Sequence, residues 1–106
     1  MSLVGKYFCA EINSTLTIDS ADNANGQASG SIIVASVEVP VNIHYHFENN
    51  VGPVTDLWFA GNQDNPNYYV GGAGRAVSMN FESIKLAGGY PTAADVISFE
   101  GDYKRQ

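Results

Sequence analysis

Ser14-Thr15-Leu16-Thr17-Ile18-Asp19, then Asp22-Asn23-Ala24-Asn25-Gly26, then Ala28 to Ala35, is the stretch that decides the fold. The first run alternates with period two. Leu16 and Ile18 fall on one face and Thr15, Thr17 and Asp19 on the other, as in a strand with one side buried. Asn25-Gly26 readily accepts the positive φ angles of a primed turn, so the two runs read as a hairpin.

Working outward, six further runs repeat this pattern between Gly, Asn, Asp or Pro punctuation: Gly5 to Ala10, Val39 to Glu48, Thr55 to Ala60, Tyr68 to Ser78, Asn80 to Leu86 and Val96 to Tyr103. Pro40 lacks an N–H, which a strand start or edge tolerates. Helical periodicity is nearly absent, and Thr92-Ala93-Ala94-Asp95 amounts to one turn at most. Residues 88–91, Gly-Gly-Tyr-Pro, read as the loop before the last strand. Short strands with short connections predict an all-β domain over residues 1–106, an eight-stranded antiparallel up-and-down barrel. Closure removes both sheet edges and leaves a lumen able to hold one small ligand. The alternation assigns Leu16, Ile18, Ile43, Tyr45, Phe47, Ile97 and Phe99 to the interior. Glycines 71, 72 and 74 fit a strongly coiled strand; no helix start follows to make them a phosphate cradle.

Composition narrows the function. Five Lys and Arg against 11 Asp and Glu give a net charge of −6, which disfavours nucleic acid and anionic membranes as partners. Charged residues are 15% of the chain and hydrophobic ones 44%. No apolar stretch is long enough for a membrane-spanning helix, and no basic-then-apolar start marks a signal peptide. One cysteine, Cys9, allows no internal disulfide framework and cannot alone build a zinc site.

Gly5-Lys6-Tyr7, Asn13-Ser14-Thr15-Leu16-Thr17-Ile18 and Ser29-Gly30-Ser31 together resemble the first three strands of the avidin and streptavidin barrels. Val37-Glu38-Val39-Pro40-Val41 is similar to the segment leading into their fourth strand, and Phe99-Glu100-Gly101-Asp102-Tyr103 to their closing one. The resemblance implies a streptavidin-like barrel that holds a small ligand and assembles with copies of itself. In that family an Asn, a Ser and a Tyr hold the biotin ureido oxygen, an Asp meets a ureido nitrogen, and several Trp form an apolar box. Ser14 matches the Ser and Asp102 the Asp. The other positions depart: Cys9 stands near the Asn, Ile32 at the Tyr, Val34 at a second Ser, and Val70, Ile84 and Val96 at box Trp positions. Trp58 matches a Trp outside the box. Each missing hydrogen bond in a dry pocket costs roughly 1–3 kcal/mol, so tight biotin binding is not expected.

The candidate ligand residues are therefore Ser14, Asp102, Asn13 and Tyr45, with Ser14 and Asp102 as a polar pair in the lumen. His44 and His46, two apart on strand four, leave one face together, with Glu48 next in the row. Two imidazoles are half a metal site. With Val41, Ile43, Tyr45 and Phe47 inward, however, the row points outward, to solvent or to a second barrel whose pairing would respond to pH near neutrality. Neither a cofactor nor a catalytic nucleophile–base pair is expected, because Cys9 has no sequence partner. Two other readings stay open. Tyr68, Tyr69, Tyr90 and Tyr103 amid Asn and Gly fit a carbohydrate-reading surface, although Tyr is common in strands. A protease-inhibitor-like barrel would act through Asn62 to Asn67 or a free start at Met1-Ser2-Leu3. Asn13-Ser14-Thr15 is also a glycosylation sequon.

Overall fold

The computed structural model describes residues 3–47, 55–61, 69–76 and 81–106. Eight strands follow in chain order: β1 Gly5–Cys9, β2 Ser14–Asp22, β3 Gln27–Val34, β4 Val37–Phe47, β5 Thr55–Gly61, β6 Gly71–Ala76, β7 Ser83–Pro91 and β8 Val96–Arg105. Each pairs antiparallel with its sequence neighbour, and β8 returns to β1, closing an up-and-down barrel. The predicted hairpin forms: Gly26 at φ 66° lets its N–H reach the Asp22 carbonyl at 2.8 Å.

Period-two alternation fills the interior. Tyr7, Leu16, Ile18, Ile32, Ile43, Ile84 and Tyr103 are all at most 1% exposed. Large rings need small neighbours across the sheet. A Cβ added to Gly72 would lie 2.9 Å from Phe59 Cζ, and one added to Gly88 would lie 2.8 Å from Phe99 Cζ. The expected interior residues Leu16, Ile18, Ile43 and Tyr45 are buried, and Phe99 is half-buried against the core. Phe47 has no described side chain.

Ile97 departs from expectation at 41% exposed. The cause lies in β7, which continues through Gly88-Gly89-Tyr90-Pro91 rather than ending at Leu86. Tyr90 pairs with Ile97 and Pro91 with Val96, so the β7–β8 hairpin runs past the rim and carries Ile97 beyond the packed lumen. The turn closing it is held by Thr92, whose Oγ1 accepts the Asp95 N–H at 3.0 Å while its own N–H reaches the Asp95 carbonyl at 2.7 Å.

The two ends of the barrel differ. At the base, Leu3 is buried and its carbonyl accepts the Tyr7 hydroxyl at 2.6 Å, so Leu3 belongs to the core, while Met1 and Ser2 lie outside the described residues. Arg105 lies over the Tyr7 ring at 5.5 Å, donates to the Tyr7 hydroxyl at 3.2 Å and bonds the Val4 carbonyl at 2.7 Å. At the mouth, Ala35 and Ser36 connect β3 to β4 in a tight turn with φ of 52° and 66°, a left-handed conformation that neither residue favours.

Candidate functional site

Ser14 is the buried polar side chain with the clearest partners. Its hydroxyl donates to the Ile33 carbonyl at 2.6 Å and accepts the Tyr103 hydroxyl at 2.7 Å, joining β8 to β2 and β3 through the interior. Burial raises the Tyr103 pKa, the Ser14 bond opposes that shift, and nearby Cys9 adds to it. The expected Ser14–Asp102 pair is thus not formed. With Tyr103 inside, Asp102 must face out. There its carboxylate lies 3.4 Å from Lys85 Nζ on β7, both side chains well exposed. The strand's own parity, which already assigned Phe99 to the interior, is the signal that separates Tyr103 from Asp102.

The other two predicted ligand residues also stand apart. Asn13 occupies the β1–β2 turn, exposed, at φ 49°. Tyr45 is buried, but its hydroxyl donates to Asn23 Oδ1 at 2.5 Å and so ties β4 to the β2–β3 turn. Burial chiefly, and the Asp22 carboxylate secondarily, push its pKa up. Cys9 is a buried free thiol against Gly101; a Cβ added there would stand 2.5 Å from its sulfur.

Where β3–β4, β6 and the β7–β8 hairpin meet at the mouth, the lumen opens into a cavity of about 220 Å³. Val34, Val37, Val39 and Val70 form its apolar wall, with Tyr69 and Tyr90 beside them. Gly61 makes room for that wall: a Cβ there would lie 3.1 Å from Val39 Cγ1 and 3.3 Å from Val70 Cγ1. Neither Ser14, Asp102, Asn13 nor Tyr45 lines it. Val34 and Val70 do, two of the positions at which the chain departs from the avidin pattern. Of the tyrosines read as a carbohydrate surface, Tyr69 and Tyr90 meet here, Tyr103 is buried in the core, and Tyr68 lies outside the described residues.

On the outer face, His44 stacks on Trp58 of β5 with ring centroids 5.5 Å apart and planes at 14°. Trp58 is 51% exposed, and Ala73 is its register partner on β6. His46 is exposed and pairs in register with Asp56, whose carboxylate holds Arg75 Nε at 2.7 Å. Glu48 and Asn62 to Asn67 lie outside the described residues.

A closed eight-stranded up-and-down barrel with a recess at one mouth is the streptavidin-like fold. Among solved structures, the chain is similar to a biotin binding protein from chicken, with a TM-score of 0.69 and 16% sequence identity over 99% of this chain and 96% of that one. No protein-family model matches the chain, and no curated protein matches it in sequence.

Proposed function

We propose that the 106 residues act as one non-enzymatic binding domain, an avidin-like barrel that holds a small ligand at the mouth of its lumen without binding biotin tightly. The apolar cavity walled by Val34, Val37, Val39 and Val70 carries this reading. Below it the interior is occupied by side chains, and the one hydroxyl proton of Ser14 is already given to Ile33. A ureido group would have to break that bond. The similarity to a biotin binding protein supports a binder of small molecules. Thermal unfolding with and without a small-molecule panel that includes biotin tests the reading. A rise in Tm with at least one compound, and none with biotin at micromolar concentration, is the expected result. Nanomolar biotin binding by calorimetry would overturn it.

A second reading concerns assembly, and the exposed Trp58–His44 stack favours it. The outer face of β4, with His44, His46 and Glu48, would pack against a second copy, with Ala60 and Ala73 beside Trp58 giving a flat approach. Around the two imidazoles stand Gln27 opposite His44 on β3 and Asp56, already paired with Arg75, opposite His46 on β5. Two copies would bring four imidazoles together. Sedimentation at micromolar concentration should show association that Trp58→Ala weakens, and a monomer would sink this reading.

A further inference from the structure

The chemistry of the mouth also selects what it can hold. Resting on the reading of that cavity as the ligand site, we propose that its ligand is a small uncharged apolar molecule: a short alkyl chain or a single ring, with at most one hydroxyl at its outer end.

Three observations converge. The first is size. A cavity of about 220 Å³ is smaller than the roughly 300–1,000 Å³ usual for drug-sized ligands. At about 30 Å³ per water-sized group it takes about seven such groups. The second is the lining. Among the described residues its apolar lining is Val34, Ala35, Val37, Val39, Val70 and Pro91, and its polar side chains are the hydroxyls of Tyr69, Tyr90 and Thr92. Thr92 Oγ1 is already used within the turn, where it donates to the Asp95 carbonyl at 3.1 Å and accepts two N–H groups. Among the described side chains that leaves the tyrosine hydroxyls to meet a ligand. The third is charge. Among the described residues no Lys or Arg lines the cavity, and the charged residues next to the lining in sequence, Glu38 on β4 and Asp95 on the β7–β8 turn, are both acidic. A carboxylate entering here would be desolvated with no cation among the described lining residues to receive it, in a chain of net charge −6. An ammonium group would likewise meet no acid among the described lining residues.

A homologous series of straight-chain 1-alkanols from butanol to decanol, followed by ligand-detected NMR titration, tests the proposal. Each added methylene should tighten binding about fourfold while it enters the apolar wall. The gain should stop at about seven carbons, where the chain outgrows the space. Octanoate should bind at least tenfold more weakly than octanol. Val37→Glu places a charge in a wall position that is 37% exposed and so tolerant of substitution, and it should weaken heptanol at least tenfold. Val96→Glu on the outer side of the same rim, at 68% exposed, should leave heptanol unchanged. A flat alkanol series combined with Val37-dependent binding of octanoate, biotin or a sugar would overturn the apolar class while leaving the mouth as a ligand site. Absence of binding by every compound would overturn both. Alkanol affinity that falls as protein concentration rises would place a second copy in the cavity and also overturn the proposal.

Discussion

The base and the mouth of this barrel are built from the same strands with the same alternation, yet one is sealed and the other open. At the base, two groups converge on Tyr7: the Leu3 carbonyl takes its hydroxyl, and Arg105 covers its ring and bonds Val4. Tyr45 closes the adjacent β2–β3 turn through Asn23. At the mouth the β7–β8 hairpin projects past the packed core, and the valines that face inward there border a cavity. Alternation decides which face is apolar. What lies above the last packed layer decides whether that face becomes core or pocket.

The largest test of this contrast is truncation of a β-branched side chain at each end. Ile84→Ala in the sealed interior should lose about 2–5 kcal/mol of unfolding free energy, because no neighbour can collapse into the space. Val37→Ala at the mouth removes atoms that already border a cavity, and about 1 kcal/mol or less is expected. Urea unfolding of the two variants measures the gap; equal losses would mean that the mouth is packed like the base.

Next in size is the interior hydroxyl pair. Ser14→Ala strands both the Tyr103 hydroxyl and the Ile33 carbonyl and should cost about 1–3 kcal/mol. Tyr103→Phe removes the donor while Ser14 keeps its bond to Ile33, and about 0.5–1.5 kcal/mol is expected. The same substitution changes the alkaline limb. Burial raises the Tyr103 pKa above the ordinary value of 10.0. The folded state therefore keeps this proton to higher pH than the unfolded chain. Its contribution is fully present below about pH 10 and is lost as the pH rises through the folded pKa. Stability of Tyr103→Phe should fall less steeply above pH 10, read from urea midpoints at pH 9, 10 and 11.

The smallest effect is a gain. Ser36 at φ 66° sits in a conformation that costs an L-residue roughly 1–2 kcal/mol. Ser36→Gly relieves that strain, partly offset by the greater freedom of glycine in the unfolded chain, so a rise of about 0.5–1 kcal/mol is expected. Because the turn borders the cavity, heptanol titration of this variant also reports whether the strained turn helps shape the site.

The same contrast separates what the sequence makes legible from what it hides. Strand content, closure and the inward placement of Leu16, Ile18, Ile43 and Tyr45 come from period two and from Asn25-Gly26, signals local to a few residues. Ile97 escapes that reading because parity names a face but not the height at which the barrel ends. The continuation of β7 through Gly88-Gly89 has no marker in residue types that also make loops. Resemblance to the avidin pattern draws Asp102 inward, against the parity of its own strand. The cavity is legible only in part: the resemblance sets Val34 and Val70 at ligand-site positions, but nothing in the sequence joins them to Val37 and Val39, and only the barrel's stagger brings the four together.

The join between β1 and β8 carries a kinetic consequence. Among the described residues it consists of two register pairs, Tyr7 with Arg105 and Phe8 with Lys104, whereas β7 and β8 share nine. Every other pairing links neighbours in sequence and can form by hairpin growth. The join must bring together residues from opposite ends of the chain, at a loop-closure entropy that local contacts do not repay. Ring closure therefore comes last, after the hairpins. Until it occurs, β1 and β8 are unpaired edges open to pairing with other chains. The rate of this step, set by Arg105 and Gln106 finding Tyr7 and Lys6, determines how long the protein is exposed to misassembly while it folds.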